Sequence, residues 1–200
     1  MTEQNVTAPE SLNYYAMIRG WATDRSIIGG DSTPLDQFVK GLSEAGELWN
    51  HLGKNKLDKL KDDIGDILVC LTNAYAILDI NIEDVGSFSQ EEYDYVKGFY
   101  ADFDQRRTKR LSLVVLRMLA EISEIVEAAQ FEDDTGTLAE ELEETTSHLV
   151  AVLMLMAEDQ GWTLEECLTQ SWNDIKDRKG VMLEGTFIKE DDIQTLDQAL

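Results

Sequence analysis

Glu44 and Glu47 lie three residues apart, and Asp63 and Asp66 repeat that spacing nineteen residues later, with the turn "GKNK" at 53–56 between them. Residues three apart are neighbours on one helix face, with Cβ atoms about 5–6 Å apart. Each acid pair therefore projects together, and a hairpin folded with both pairs inward brings four carboxylates to one pocket. Unpaired, such a cluster repels itself and is costly to desolvate. A hard divalent cation such as Mg²⁺ relieves both costs, because it takes oxygen ligands. The competing account is chance. One residue in five is acidic, so about eight acid pairs at this spacing are expected on solvated faces of the chain. Gly46 and Gly65 stand beside the acids and cost about 1 kcal/mol each in helix propensity. Close helix approach would explain them and chance would not, yet spacing alone leaves both accounts standing.

The elements that must position these acids are helical. Thr33 is a plausible N-cap with Pro34 at the first helical position. Leu35, Phe38, Val39, Leu42, Ala45, Trp49 and Leu52 then keep a helical period. After the turn, Leu57, Leu60, Ile64, Ile67, Leu68, Leu71 and Leu78 line one side of a second helix. A second hairpin follows, with one stripe from Leu111 to Ala129, the turn "FEDDTGT", and another stripe from Leu138 to Met156. The two hairpins look like repeats, "LSEAGEL" at 42–48 matching "LAEISEI" at 119–125. The expected fold is all-α, a four-helix bundle built from two repeated hairpins in a single domain. Repeat 1 spans about 34–84, a connector about 85–110, and repeat 2 with the C-terminal segment about 111–192. A last helix should end at Gly180, and "VMLEGTFIKEDD" reads as a short hairpin or extended segment. The first dozen and the last residues read as loose tails.

Composition narrows the classes. With 43% hydrophobic and 28% charged residues the chain can bury a sizeable core. Forty acids against seventeen bases give a net charge of −23, which argues against nucleic acid and anionic membranes as partners. The run "LVAVLMLMA" is too short to span a bilayer. Cys70 and Cys167 sit in apolar helical contexts without a disulfide or zinc pattern, and no secretory leader is read at the N-terminus. A cytoplasmic location is the expectation.

"QFVKGLSEAGEL" followed by "LKDDIGDILVCLTNA" resembles the signature of MazG-like nucleotide pyrophosphohydrolases, members of the all-α NTP pyrophosphatase superfamily. Glu44 and Glu47 fall on that family's E-x-x-E, and Asp63 and Asp66 on its E-x-x-D. Ser43 stands where an extra Glu is usual, and Asp63 replaces Glu with a shorter acid. Gln37, Lys40 and Asn73 also match recurrent positions. The early "WATDRSIIGG" and the C-terminal "SWNDIKDRKGVMLEGTFIKEDD" are similar to compact, phage-type members, so the resemblance covers roughly 21–84 and 161–192.

The resemblance implies hydrolysis of a nucleoside triphosphate, usually a deoxynucleotide, to the monophosphate and pyrophosphate. Glu44, Glu47, Asp63 and Asp66 would hold Mg²⁺, with Mn²⁺ as a substitute, and Glu44 or Glu47 would take the proton of the attacking water. Gln37, Lys40 and Asn73 would contact substrate. Trp21, Arg25, Gln37 and Asn73 are candidates for base or sugar recognition, and Lys176, Arg178 and Lys179 for phosphate. The second repeat keeps Glu121 and Glu124 but has Thr145 and His148 where the first has Asp63 and Asp66, so one working site is expected. Family members are commonly dimers or tetramers, and a fused repeat leaves both a homo-oligomer and a self-sufficient chain open.

Two other readings fit the residues less well. A di-iron bundle wants Glu-x-x-His pairs, and neither His51 nor His148 has Glu three positions before it. A catalytically inactive, acidic helical interaction protein on the same scaffold would need no metal; clustering of the acids beside glycines and a Lys/Arg-bearing tail fit it less well.

Overall fold

Side-chain caps fix several helix starts. The Asn13 side chain accepts from the Ala16 N–H at the start of α1 (Tyr14–Asp24). Thr33 and Asp36 form a reciprocal capping box at α2 (Pro34–Gly53), with Pro34 in the first turn. Ser89 with Glu92 and Thr163 with Glu166 do the same for α5 (Gln90–Phe99) and α8 (Leu164–Ile175). Between them lie α3 (Leu60–Ile77), the single turn α4 (Ile82–Val85), α6 (Arg107–Ala129) and α7 (Leu138–Glu158). This computed structural model describes residues 12–102, 106–129, 137–190 and 193. The expected N-terminal tail up to residue 11, most of the "FEDDTGT" turn (131–136) and the expected tail at 194–200 lie outside the described residues, as do 103–105 of the connector, 130, and 191–192.

The fold is all-α with a short C-terminal hairpin. α2 and α3 pack as one antiparallel hairpin, α6 and α7 as the other, and α2 lies against α6. The Tyr75 hydroxyl on α3 meets the Thr146 hydroxyl on α7. α8 returns to pack along α3, and α1 touches both of them. The connector carries α5, which with α4 lies on α7. β1 (Gly180–Leu183) and β2 (Thr186–Lys189) pair antiparallel, Gly180 opposite Lys189 and Leu183 opposite Thr186. The two-residue turn between them holds Glu184 and Gly185 at φ 48° and 76°, the left-handed pair that a tight hairpin requires. A three-residue 3-10 turn, Leu57–Lys59, precedes α3, so that helix starts three residues later than its apolar stripe suggests.

One core runs through the hairpins, with Phe38, Leu48, Leu60, Ile64, Ile67, Leu68 and Tyr75 from the first and Leu111, Leu119 and Ile122 from α6 all fully enclosed. Each such side chain contributes roughly 1.5–3 kcal/mol by leaving water. Two expectations need correction. The buried stripe of α2 is Phe38, Gly41, Ala45, Leu48 and Leu52, whereas Leu35, Val39 and Trp49 are exposed, Val39 by 58%. Steps of three and four from Phe38 face both α3 and α6, and Leu35, Val39 and Trp49 fall on the flank that neither covers. Nor do both glycines serve close approach of the acid-bearing helices. A Cβ on Gly46 would meet nothing within 4 Å among the described residues, while one on Gly65 would run into α8. Among the described residues no helix is long and apolar enough to cross a membrane.

Candidate active-site cleft

α2 presents Gln37, Lys40 and Glu44 at helical spacing along one face, and α3 presents Asp66, Cys70 and Asn73 along another. Because the hairpin packs these faces together, all six line one cleft. Trp21 from α1, Arg178 beyond α8, and Phe187 and Lys189 from β2 close it.

The first acid pair splits. Glu44 is buried and forms an ion pair with Lys40 one turn earlier, whereas Glu47 is exposed outside the cleft. Burial alone would lower the Lys40 pKa, but the Glu44 carboxylate beside it outweighs that and raises it. The second pair splits as well. Asp66 lines the cleft, while Asp63 is buried and turned to His51, whose Nδ1 lies 2.9 and 3.0 Å from its two carboxylate oxygens. Burial pushes Asp63 up to about 6 against the pull of His51. Burial, then the charge of Asp62, push Asp66 up to about 7, with the Ser171 hydroxyl and Arg178 opposing. Asp62 itself is raised by burial and by the neighbouring Asp174 carboxyl, and its Oδ1 has no hydrogen-bond partner among the described residues.

The expected convergence of four carboxylates on one pocket is therefore corrected: Glu44 and Asp66 line the cleft, whereas Glu47 and Asp63 do not. Asp62 does not line it either, though its charge acts on Asp66 and it feels that of Glu44. Among the described residues no three His, Cys, Asp or Glu side chains stand together as a ready metal site. The donor chemistry nevertheless fits a hard divalent cation. Asp62 and Asp66, which burial and neighbouring carboxylates drive toward protonation, gain most from a cation that takes oxygen ligands. Spacing three apart establishes that two acids are neighbours, not which way the helix is turned. On α3 the face toward the cleft runs Asp66, Val69, Cys70 and Asn73, with Asp62 one turn before Asp66. Asp63 is one position round, facing α2. The i, i+4 step from Asp62 to Asp66 was the signal for the missed residue.

The basic residues also separate. Arg178 lines the cleft, whereas Lys176 and Lys179 are exposed away from it and the Lys176 ammonium donates to Asn173 Oδ1 at 2.8 Å. Arg25 is not at the cleft wall. Its guanidinium lies 4.8 Å from the Trp21 ring centre and donates to the carbonyls of Arg178 (2.9 Å), Lys176 (3.2 Å) and Trp21 (3.4 Å). A cation at the end of α8 also complements its exposed carbonyls. Lys189 was missed; strand alternation from Phe187 puts both on one face. Neither Arg178 nor Lys189 is in an ion pair among the described residues. In the second hairpin, the Thr145 hydroxyl is 3.5 Å from Glu121 Oε1 and His148 Nε2 is 3.1 Å from the Tyr100 hydroxyl.

No family model matches the chain, and no solved structure matches it. Over 54 residues, 27% of its length, the chain is 48% identical to an uncharacterized 18.2 kDa protein from the rep-hol intergenic region of Haemophilus phage HP1 (strain HP1c1). The matched stretch spans 32% of that phage protein.

Proposed function

We propose that the chain is a MazG-like nucleoside triphosphate pyrophosphohydrolase, acting on a deoxynucleotide with Mg²⁺ and releasing the monophosphate and pyrophosphate. One observation carries the reading: Trp21, Gln37, Lys40, Glu44, Asp66, Asn73 and Arg178, singled out by their sequence pattern, all line a single cleft. Such a cleft combines three things the reaction needs, namely carboxylates for a cation, Arg178 and Lys189, which are in no ion pair among the described residues, for phosphate oxygens, and apolar and aromatic walls such as Val69 and Phe187.

Glu44 and Asp66, the two of these acids that line the cleft, are the residues that would hold the cation, alongside oxygens of the substrate's own phosphates. When bound, Mg²⁺ screens the triphosphate and makes water a better nucleophile at neutral pH. Lys40 holds the Glu44 carboxylate on the cleft wall. Glu44, rather than the exposed Glu47, is thus the acid suited to take the proton of an attacking water. Arg178 and Lys189 are free to bind phosphate oxygens and to offset negative charge gathering there in the transition state. The backbone at Arg178 is held by Arg25, so the site depends on α1 as well as on the acid-bearing hairpin.

The test is turnover of a panel of dNTPs and NTPs with Mg²⁺ or Mn²⁺, with pyrophosphate assayed separately from orthophosphate. Metal-dependent pyrophosphate is expected. Absence of product from every nucleotide would favour the acidic interaction protein, a reading to which the exposed Leu35, Val39 and Trp49 on α2 lend some support.

A further inference from the structure

Two buried polar atoms of residues at the cleft have no hydrogen-bond partner among the described residues. Trp21 is 7% exposed and its indole N–H finds no acceptor among the described residues; Asn73 is 3% exposed and its Oδ1 finds no donor among them. Both residues line the same cleft. A buried donor or acceptor left unmade is costly, and such atoms in a folded protein call for a partner.

Neither side chain is loosely held. Asn73 Nδ2 donates to Gln37 Oε1 at 3.5 Å, and Gln37 Nε2 donates to Ser32 Oγ at 2.9 Å. That chain of amides consumes the Asn73 N–H on the protein side and leaves its oxygen as the free end. Trp21 packs edge-to-face on Phe187, with ring centres 5.9 Å apart, and the Arg25 guanidinium covers its ring. The pair is therefore rigid, one donor and one acceptor set among apolar walls, which is how a site reads a ligand rather than merely accommodating it.

We infer that the Trp21 N–H and the Asn73 oxygen read the nucleobase itself, binding an edge that offers one hydrogen-bond acceptor and one N–H donor. The inference rests on the nucleotide reading above and deepens it by naming the part of the nucleotide that is recognised. A pyrimidine or purine supplies the N–H to Asn73 from its ring imide or exocyclic amine, and the acceptor to Trp21 from the adjacent carbonyl or ring nitrogen. Gln37 and Ser32 are positioning residues, fixing which end of the Asn73 amide faces the base.

The test uses calorimetric binding of the four deoxynucleoside monophosphates without metal, then the analogue of the tightest one methylated on its N–H. The analogue should bind the parent at least tenfold more weakly, yet bind Asn73→Leu about as well as the unmodified nucleotide does. Trp21→Phe should lose about tenfold for the nucleotide and nothing for pyrophosphate. The ligand series on the parent protein needs no variant to fold. Equal binding of the methylated and unmodified nucleotides would overturn the inference and mean that the two atoms hold ordered water only. Pyrophosphate release from dNTPs without any such discrimination would overturn the inference and leave the hydrolase standing. Discriminating binding without turnover of any triphosphate would support the inference and overturn the hydrolase.

Discussion

Gly65 on α3 and Cys167 on α8 approach so closely that a Cβ at residue 65 would stand 2.3 Å from the Cys167 carbonyl oxygen, and 2.3 Å from Ser171 Oγ as well. Ser171 in turn donates to the Asp62 carbonyl at 3.2 Å. The glycine in the acid-bearing segment thus serves the docking of α8, the helix whose C-terminal end leads into Arg178.

Gly65→Ala should therefore destabilise the fold although alanine is the better helix former. A backbone carbonyl cannot yield as a flexible side chain would, so about 2–3 kcal/mol is expected, within the range for overpacking. Urea unfolding of the two proteins measures it. The same change at Gly46, where a Cβ would meet nothing within 4 Å among the described residues, should instead stabilise by a few tenths to about 1 kcal/mol.

The carboxylates predict an unusual pH dependence for the metal-free protein. Asp66 is pushed up to about 7 and Asp63 to about 6, each mainly by burial. A carboxyl whose folded pKa is raised binds its proton more tightly folded than unfolded. Its contribution is full below the unfolded value near 4, is lost as pH rises, and is gone above 7. Stability without divalent cations should thus fall between pH 4 and pH 7. Asp66→Asn should flatten that slope and be more stable than the parent at pH 7.5 by about 1–2 kcal/mol. Mg²⁺ should raise the Tm of the parent and not of the variant. A parent whose stability rises across this window would contradict the buried, mutually repelling acids.

Arg25 and Arg178 should part company. Arg25→Gln removes three hydrogen bonds to carbonyls and should cost about 1–2 kcal/mol in stability, with a secondary rise in KM. Arg178→Gln makes no such structural sacrifice and should raise KM at least tenfold with stability within about 0.5 kcal/mol. Measuring Tm and KM for both variants separates the roles; full stability in Arg25→Gln alongside lost binding would make Arg25 a substrate ligand after all.

Much of this was readable in the residues. The α2–α3 hairpin and the shared face of Gln37, Lys40 and Glu44 follow from the 3.6-residue period, which local sequence controls. The rotation of α3 about its axis does not, because it is set by Gly65 against α8, a contact between residues about a hundred positions apart. That rotation is why Asp62 sits beside Asp66 and why Asp63 turns to His51. The role of Arg25 was equally hidden, since its carbonyl partners on Lys176 and Arg178 lie 151 and 153 residues away. Leu35, Val39 and Trp49 were misread for a simpler reason: apolar residues on two flanks of α2 both satisfy a helical period, and only packing against α6 selects one.

Pyrophosphate release from dNTPs with Mg²⁺, compared for the parent, Glu44→Gln and Glu47→Gln, decides whether the cleft is a hydrolase site built on Glu44. Glu44→Gln should lose at least a hundredfold in kcat while keeping its fold, about 2.7 kcal/mol of transition-state stabilisation, and Glu47→Gln less than tenfold. Equal loss in both variants would mean that the acids close into a single cluster around the cation. Undiminished turnover in Glu44→Gln would remove Glu44 from the chemistry, and none from the parent with either metal would overturn the hydrolase itself.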